Sequence, residues 1–450
     1  MNAILAQSTI HRRREMLRQM TSGLGMDSVY AAILERIIGQ EGDKGKLGME
    51  VLMWISRSER PLTPEELRFA LAIKGDSTEL DPENTPTIEE LLSCSLGLAI
   101  VDEGGSRVRL IHLTLEQYLG KHPELFGSSH AKMAEVCLTY LNFQTVRDLP
   151  PNLWEHLRMI PFLDYASCYW GTHAGKELTE RTKSLALQFL DQYDHHVSAK
   201  ILQVNQKSWT YYDGGHAPSR FTGLHAIACF GIAEIAMTLF KLGSCDVNGK
   251  DSLGYTPLMW AARNNNRGVC EALLELGDAD PNIADSRGET PLLMASADGH
   301  EDIVKLLLER KEVNLDSPDN SGQTPLSVAV RNGHESIVKL LRESKEVNPN
   351  SPDNGGQALP SLAREDGHEG GVEPPRGNPE TSETYIQKTS SLVSTPSGYT
   401  HTQKTISVPS SDDLQPQSRS PENLDLVSAQ GVYTLRTAWW KWPAKCCGKR

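Results

Sequence analysis

One spacing limits this chain more than any other feature: Gly-x-Thr-Pro-Leu returns every 34 residues, opening at Gly254, Gly288 and Gly322. Asp298-Gly-His300 is echoed by Asn332-Gly-His334, and Ile303-Val-Lys-Leu-Leu307 by Ile337-Val-Lys-Leu-Leu341. Ser317-Pro-Asp-Asn320 returns as Ser351-Pro-Asp-Asn354, and Thr222-Gly-Leu-His225 fits the frame one unit upstream. A period of this size marks a stack of small supersecondary units. Within one unit, Thr290 is placed to cap a helix whose first turn accepts Pro291, because an N–H there has no intrahelical acceptor. Leu292, Met294 and Ala295 give that helix one apolar stripe, and Gly299 permits a tight turn. Ile303, Val304, Leu306 and Leu307 then form a second stripe at helical spacing. Val313-Asn314 and the Asp-Asn-Ser-Gly stretch supply a turn-rich connection. Such a helix pair cannot bury its apolar face alone, so it must stack on its neighbours.

These residues resemble ankyrin repeats, whose consensus carries Thr-Pro-Leu, Asn-Gly-His and a closing Val-Asn. The resemblance covers about residues 221–355, four units, and implies an interaction surface on the concave face of the stack. It also implies that His300 and His334 tie adjacent loops by hydrogen bonds and are neither catalytic nor metal ligands. On that face the candidate contacts are Tyr255, Trp260, Arg263, Asn264, Arg287, Glu289, Asp298, Gln323 and Arg331. A fifth unit starts at Gly356-Gln-Ala-Leu-Pro360 but loses its second helix to Gly370-Gly371 and Pro374-Pro375. Residues 356–370 therefore read as a half-repeat cap over Ile337, Leu340 and Leu341. From Ser361 onward, 36 of 90 residues are Ser, Thr, Pro or Gly. That composition lacks the apolar surface to offset ordering entropy, so residues 371–450 are expected to be a disordered tail.

Ahead of the repeats the pattern changes. Leu47, Val51, Leu52 and Ile55 describe an amphipathic helix ending before Arg60-Pro61. Thr63-Pro-Glu-Glu66 and Thr87-Ile-Glu-Glu90 are capping boxes that each open another helix. Leu98-Ala-Ile-Val101 and Val108-Arg-Leu-Ile111 flank Gly104-Gly105 and read as a hairpin. Helices followed by a hairpin make a winged-helix arrangement over residues 44–120. Between Arg60 and His112 stand five basic and ten acidic residues. A helix seated among phosphates would meet repulsion, so a packing module is favoured over a nucleic-acid reader.

The motifs Trp54-Ile-Ser56, Arg60-Pro-Leu-Thr63, Cys94-Ser-Leu-Gly97 and His112-Leu-Thr-Leu-Glu-Gln-Tyr-Leu119 are similar to the winged-helix segment of fungal NACHT–ankyrin proteins, relatives of NOD-like receptors. Residues 1–43 resemble the helical linker after the NACHT module in that family. Cys137-Leu-Thr-Tyr-Leu141, Pro161-Phe-Leu-Asp-Tyr-Ala166, Trp170 and His173 resemble its helical bridge, here 121–220. The nucleotide-binding module of that family has no counterpart in this sequence, since no G-x-x-x-x-G-K-[ST] occurs. Gly42-Asp-Lys-Gly45-Lys46 has the wrong glycine spacing. Leu98-Ala-Ile-Val-Asp102 mimics an acidic-ended strand but reads as one arm of the hairpin.

Charge and composition narrow the function classes. The chain of 450 residues carries a net charge of −13, which disfavours broad polyanion binding. From Thr222 to Gly355, 12 basic and 20 acidic residues favour a basic or mixed-charge partner. No apolar run approaches the roughly 18 residues of a bilayer span. The eight cysteines form no C-x-x-C pair, and no secretory leader opens the chain, so a reducing cytoplasmic or nuclear home is expected. No nucleophile elbow, zinc-protease motif or dinucleotide fingerprint occurs, so no catalytic residue, metal or cofactor is expected. His195-His196 reads as the solvated end of a helix, and Trp154, Tyr165 and Trp170 as core. Residues 433–450 hold five basic residues, Trp439, Trp440, Trp442 and Cys446-Cys447. A membrane contact would need that tail to be lipid-modified.

The expectation is thus a mainly α chain: a winged-helix and helical-bundle module, an ankyrin-repeat solenoid and a disordered tail. Its function is non-catalytic protein–protein interaction; the alternative is a regulatory fragment or decoy in a NOD-like receptor system, binding a NACHT-type protein.

Overall fold

The computed structural model describes residues 26–344, apart from 76, 103, 151–159, 207–219, 244 and 277. The half-repeat expected at 356–370, the tail at 371–450 with its 433–450 segment, most of the 1–43 linker and Trp154 lie outside the described residues. The described part is mainly helical, with a single two-stranded sheet.

The chain enters through α1 (Met26–Ile38) and α2 (Lys44–Arg57), which pack on each other. Gly48 lets α2 approach so closely that a Cβ there would lie 2.4 Å from the Cys94 carbonyl oxygen. Next come α3 (Pro64–Ala72) and α4 (Ile88–Cys94), both opened by the expected capping boxes. Thr63 accepts from the Glu66 N–H at 3.1 Å, and Glu66 accepts from the Thr63 N–H at 2.8 Å. The hairpin also forms: β1 (Ala99–Val101) pairs antiparallel with β2 (Val108–Leu110), in the register Ala99–Leu110, Ile100–Arg109 and Val101–Val108. Asp102, whose strand mimics a nucleotide-site motif, instead closes the turn by accepting from the Ser106 and Arg107 N–H groups. The Val108 N–H donates to the Leu62 carbonyl at 2.8 Å, which sews the hairpin to the segment leading into α3.

Then follow α5 (Leu113–Lys121), α6 (Ser129–Leu141), the single turn α7 (Gln144–Arg147), α8 (Leu163–Lys176), α9 (Glu180–Leu190) and α10 (Val197–Gln206). α8 is the hub: it packs against α6, α10 and the first repeat. Tyr165 and Trp170 have no exposed surface, as expected of core. His196 departs from expectation. His195 is exposed, but His196 is 6% exposed, because its ring packs edge-on against Phe189 beneath Tyr193. Its Nε2–H donates to the Leu141 carbonyl, and its Nδ1 accepts from the Ser198 N–H.

The remaining eight helices are four pairs: α11 (Gly223–Phe230) and α12 (Ala233–Leu242), α13 (Pro257–Arg263) and α14 (Arg267–Leu276), α15 (Pro291–Asp298) and α16 (Glu301–Leu308), α17 (Pro325–Asn332) and α18 (Glu335–Glu343). First helices stack on first helices and second on second. Thr256, Thr290 and Thr324 cap the first helices with a proline in the first turn. Gly299 and Gly333 end two of them with φ of 79° and 75°. Gly171 in α8 lets Phe230 seat the stack on the bridge; a Cβ there would fall 2.2 Å from that ring.

Candidate interaction groove

Between the helix pairs, each connecting loop is a hydrogen-bonded finger built around an aspartate. Asp285 Oδ1 accepts from the Arg287 and Glu289 N–H groups at 2.8 Å each, while the Asp285 N–H donates to the Glu289 carbonyl. Asp251 and Asp319 repeat this arrangement toward residues 253 and 255 and toward 321 and 323. Gly288 closes the finger at φ 81° and lies against the next loop, where a Cβ would meet the Asn320 nitrogen at 2.8 Å. Across that approach the Asn320 N–H donates to the Arg287 carbonyl at 2.8 Å. Fingers are therefore rigid individually and fastened to each other.

Histidines perform the same fastening. His300 Nε2 lies 2.9 Å from the Arg263 carbonyl of the preceding unit, and His334 Nε2 3.0 Å from the Ala297 carbonyl. His225 ties the first unit to the second by facing the Gly249 and Tyr255 carbonyls at 3.1 Å.

The second and third fingers and the helices behind them enclose a cavity of about 370 Å³. Its apolar floor is Leu293, Ala297 and Val328; its rim is Ser286, Arg287, Glu289, Asp319, Asn320, Ser321, Gln323 and Arg331. Four sequence-named candidates, Arg287, Glu289, Gln323 and Arg331, thus converge on one site. Arg287 spans it, donating to Asp285, Glu289 and the Tyr255 hydroxyl, the last at 2.7 Å. Burial outweighs the pull of Arg287 and holds the Glu289 carboxyl above the usual carboxylate range. Arg331 is exposed and donates to the carboxamide of Gln323, an uncharged partner. Its charge is therefore not neutralised by that bond.

The other candidates fall elsewhere. Trp260 has no exposed surface and offers no contact face: it is wedged against Phe221 and Tyr255 while its indole N–H donates to Asp251. Tyr255 is only 5% exposed; its hydroxyl accepts from Arg287 and Arg263, so both residues brace the groove wall. Asn264 turns back to donate to the Trp260 carbonyl. Asp298 is exposed at the end of α15, outside the cavity. The aspartates at 251, 285 and 319 were not among the candidates, although their 34-residue spacing is plain in the sequence.

Residues 192–285 and 276–353 match the family model for ankyrin repeats in three copies. The stack is an array of ankyrin repeats. The match begins at residue 192, ahead of the expected boundary at 221, and so takes in α10. There Gln203 donates to Asp251 Oδ2 at 3.0 Å, joining α10 to the first finger. No curated protein matches the chain. Ankyrin arrays are generally protein-binding scaffolds. Among the described residues no helix is long and apolar enough to cross a membrane. Among the described residues Cys94, Cys137, Cys168, Cys229, Cys245 and Cys270 form no disulfide, and all but Cys245 are buried.

Proposed function

We propose that this chain is a non-catalytic interaction protein that docks a segment of a partner protein in the groove between its second and third ankyrin fingers. The convergence of Arg287, Glu289, Gln323 and Arg331 around one apolar-floored cavity carries the reading. Polar groups on a rigid rim set orientation, and the apolar floor supplies burial. The groove holds both signs of charge, so the partner segment is of mixed charge, with an acidic side chain meeting Arg331 and a basic one meeting Glu289. The net −8 of the repeats, from 12 basic and 20 acidic residues, steers the basic part. The buried thiols support a reducing compartment, cytoplasmic or nuclear.

The test is a charge reversal on the rim. Partners recovered by the full chain should be lost by Arg331→Glu with Glu289→Lys and retained by Lys339→Glu, which changes an exposed residue of α18. Equal recovery by all three proteins would end the groove reading.

A second reading concerns residues 44–120. The order of three helices and a hairpin, with Val108 bonded back to Leu62, supports a winged-helix packing module of the kind found in NACHT–ankyrin proteins. On that reading the chain is a regulatory fragment or decoy for a NACHT-type protein. Co-precipitation of such a protein by residues 26–206, and not by the repeats, would separate it from general scaffolding.

A further inference from the structure

We propose that Glu59, His130 and His173 form a binding site for a zinc-class metal ion at the hub of the front half. The three residues come from separate places: the segment after α2, the first turn of α6 and the last turn of α8. Nevertheless one ligand atom from each lies within 4.8 Å of the other two. His130 Nδ1 and His173 Nδ1 are 2.9 Å apart, and His173 Nδ1 lies 3.9 Å from Glu59 Oε1. Tetrahedral zinc with bonds of 2.0–2.1 Å sets its ligands about 3.3 Å apart. The imidazoles must part by a few tenths of an ångström and the carboxylate must close by a little more. His130 is half-buried and Glu59 belongs to a loop, so both have room to do this.

The site has the outer support that metal sites use. His173 is wholly buried, and its other ring nitrogen lies 2.9 Å from the Tyr165 hydroxyl. When Nδ1 binds metal, the Nε2–H donates to that oxygen and fixes the ring. The same hydroxyl accepts from the Glu59 N–H at 3.3 Å, so one group positions two ligands. Burial holds the His173 imidazole neutral, pushed down to about 3, and moves His130 in the same direction. In the metal-free protein His130 donates its Nδ1–H to His173 Nδ1. On metal binding that proton passes through solvent to Nε2 of His130, so both rings stay neutral and both Nδ1 lone pairs face the ion. Two imidazoles and one carboxylate are a donor set for zinc or cobalt, with a fourth position for water or a partner's side chain.

Two cations oppose the ion, Arg57 through its charge near His130 and, more directly, Lys176. Lys176 Nζ lies 2.6 Å from Glu59 Oε1 and must swing away before the carboxylate turns to a cation. Its side chain is 47% exposed, so the swing leads into water. This opposition gives the site a signature that an ordinary hydrogen-bond chain lacks.

The experiment is cobalt(II) titration of the full chain by visible absorption, with bound zinc counted by mass spectrometry after dialysis. Wild type should take up one ion with a tetrahedral cobalt spectrum. His130→Ala, at a half-buried position compatible with folding, should lose that spectrum. Tyr165→Phe should weaken binding about 10- to 100-fold. Lys176→Ala should tighten it, which a purely structural role for these residues would not produce. No cobalt spectrum in wild type, or uptake unchanged by His130→Ala, overturns the site; the second result would place the metal on other thiols or histidines of the chain.

Discussion

The two halves of the described chain are held together at different ranges of sequence. In the repeats, each finger is closed by its own aspartate and fastened to the next copy, as Asn320 is to Arg287. In the front half, the ties cross a hundred residues: Arg60 pairs with Asp164 as well as its neighbour Glu66, and Lys176 and Tyr165 both reach the Glu59 region. A linear stack distributes stability over local units and their interfaces. A core closed by distant ties instead forms or fails as one body. The groove therefore stands on the part of the molecule where substitutions should stay local. The hub around α8 stands where they should spread.

Trp170→Ala is the heaviest blow to this contrast. The ring has no exposed surface and meets Phe189 at 5.7 Å and Phe230 at 5.1 Å, both edge-on. Its indole N–H meets no acceptor among the described residues, so its contribution there is packing. Truncation of a buried aromatic costs about 3–5 kcal/mol. Hydrogen exchange should show protection falling across α6, α8, α9, α10 and α11 together, with the fingers at Asp285 and Asp319 little changed. Equal loss in those fingers would mean that the halves unfold as one, and the contrast would fail.

The same difference in range decides what could be read from the amino acids. The repeats were legible because the period puts equivalent residues side by side. The two capping boxes and the hairpin were legible because their partners lie within a few residues. Trp260 was misplaced by reading it alone: the residues 34 and 68 places on are Met294 and Val328, a series of buried apolar side chains. The Tyr255 series continues as Glu289 and Gln323, and only the clamp by Arg263 and Arg287 explains why the tyrosine is covered. Of the residues lining the cavity, Arg287, Glu289, Gln323 and Arg331 were named from the sequence as candidate contacts, and the supporting aspartates were not. His195-His196 drew attention because the two are adjacent, yet the fold sends them to opposite environments. Glu59, His130 and His173 share no short spacing; the packing of α6 on α8 joins the two histidines, and the bond from the Glu59 N–H to the Tyr165 hydroxyl brings the carboxylate beside them.

Asp285→Ala sharpens the other side of the comparison. The substitution removes the acceptor for two N–H groups and one partner of Arg287, at a side chain only 1% exposed. Leaving buried polar groups unsatisfied costs about 1–3 kcal/mol. The loss should register in hydrogen exchange of residues 285–289 and the adjoining finger at 319–323, with α6 and α8 unaffected. Partner binding in the groove should weaken with it, because Arg287 loses a brace. Loss of protection at α8 would show that the stack is not built of separable units.

Acid should act within the front half, where His196 packs against Phe189 of α9 and reaches the end of α6. Burial depresses this imidazole to about 4, and the nearby Arg147 adds to the effect; the Leu141 carbonyl acts in the opposite sense. The unfolded chain takes up the proton near the ordinary value of about 6.5, whereas the folded chain resists it. Stability from this group is therefore complete above about pH 6.5 and falls as pH drops toward 4. One pH unit below the unfolded value corresponds to about 1 kcal/mol. The geometry agrees, since a second ring proton would confront the Ser198 N–H that Nδ1 now accepts. His173, His225 and His130 shift in the same direction, so the whole protein should soften in acid. His196→Gln keeps a donor for Leu141 and an acceptor for Ser198 but cannot titrate. Its unfolding free energy should fall less than that of wild type between pH 7.5 and 5.5, by about 1 kcal/mol, as read from denaturant melts at each pH. Parallel curves for the two proteins would show that this histidine carries no proton-linked stability.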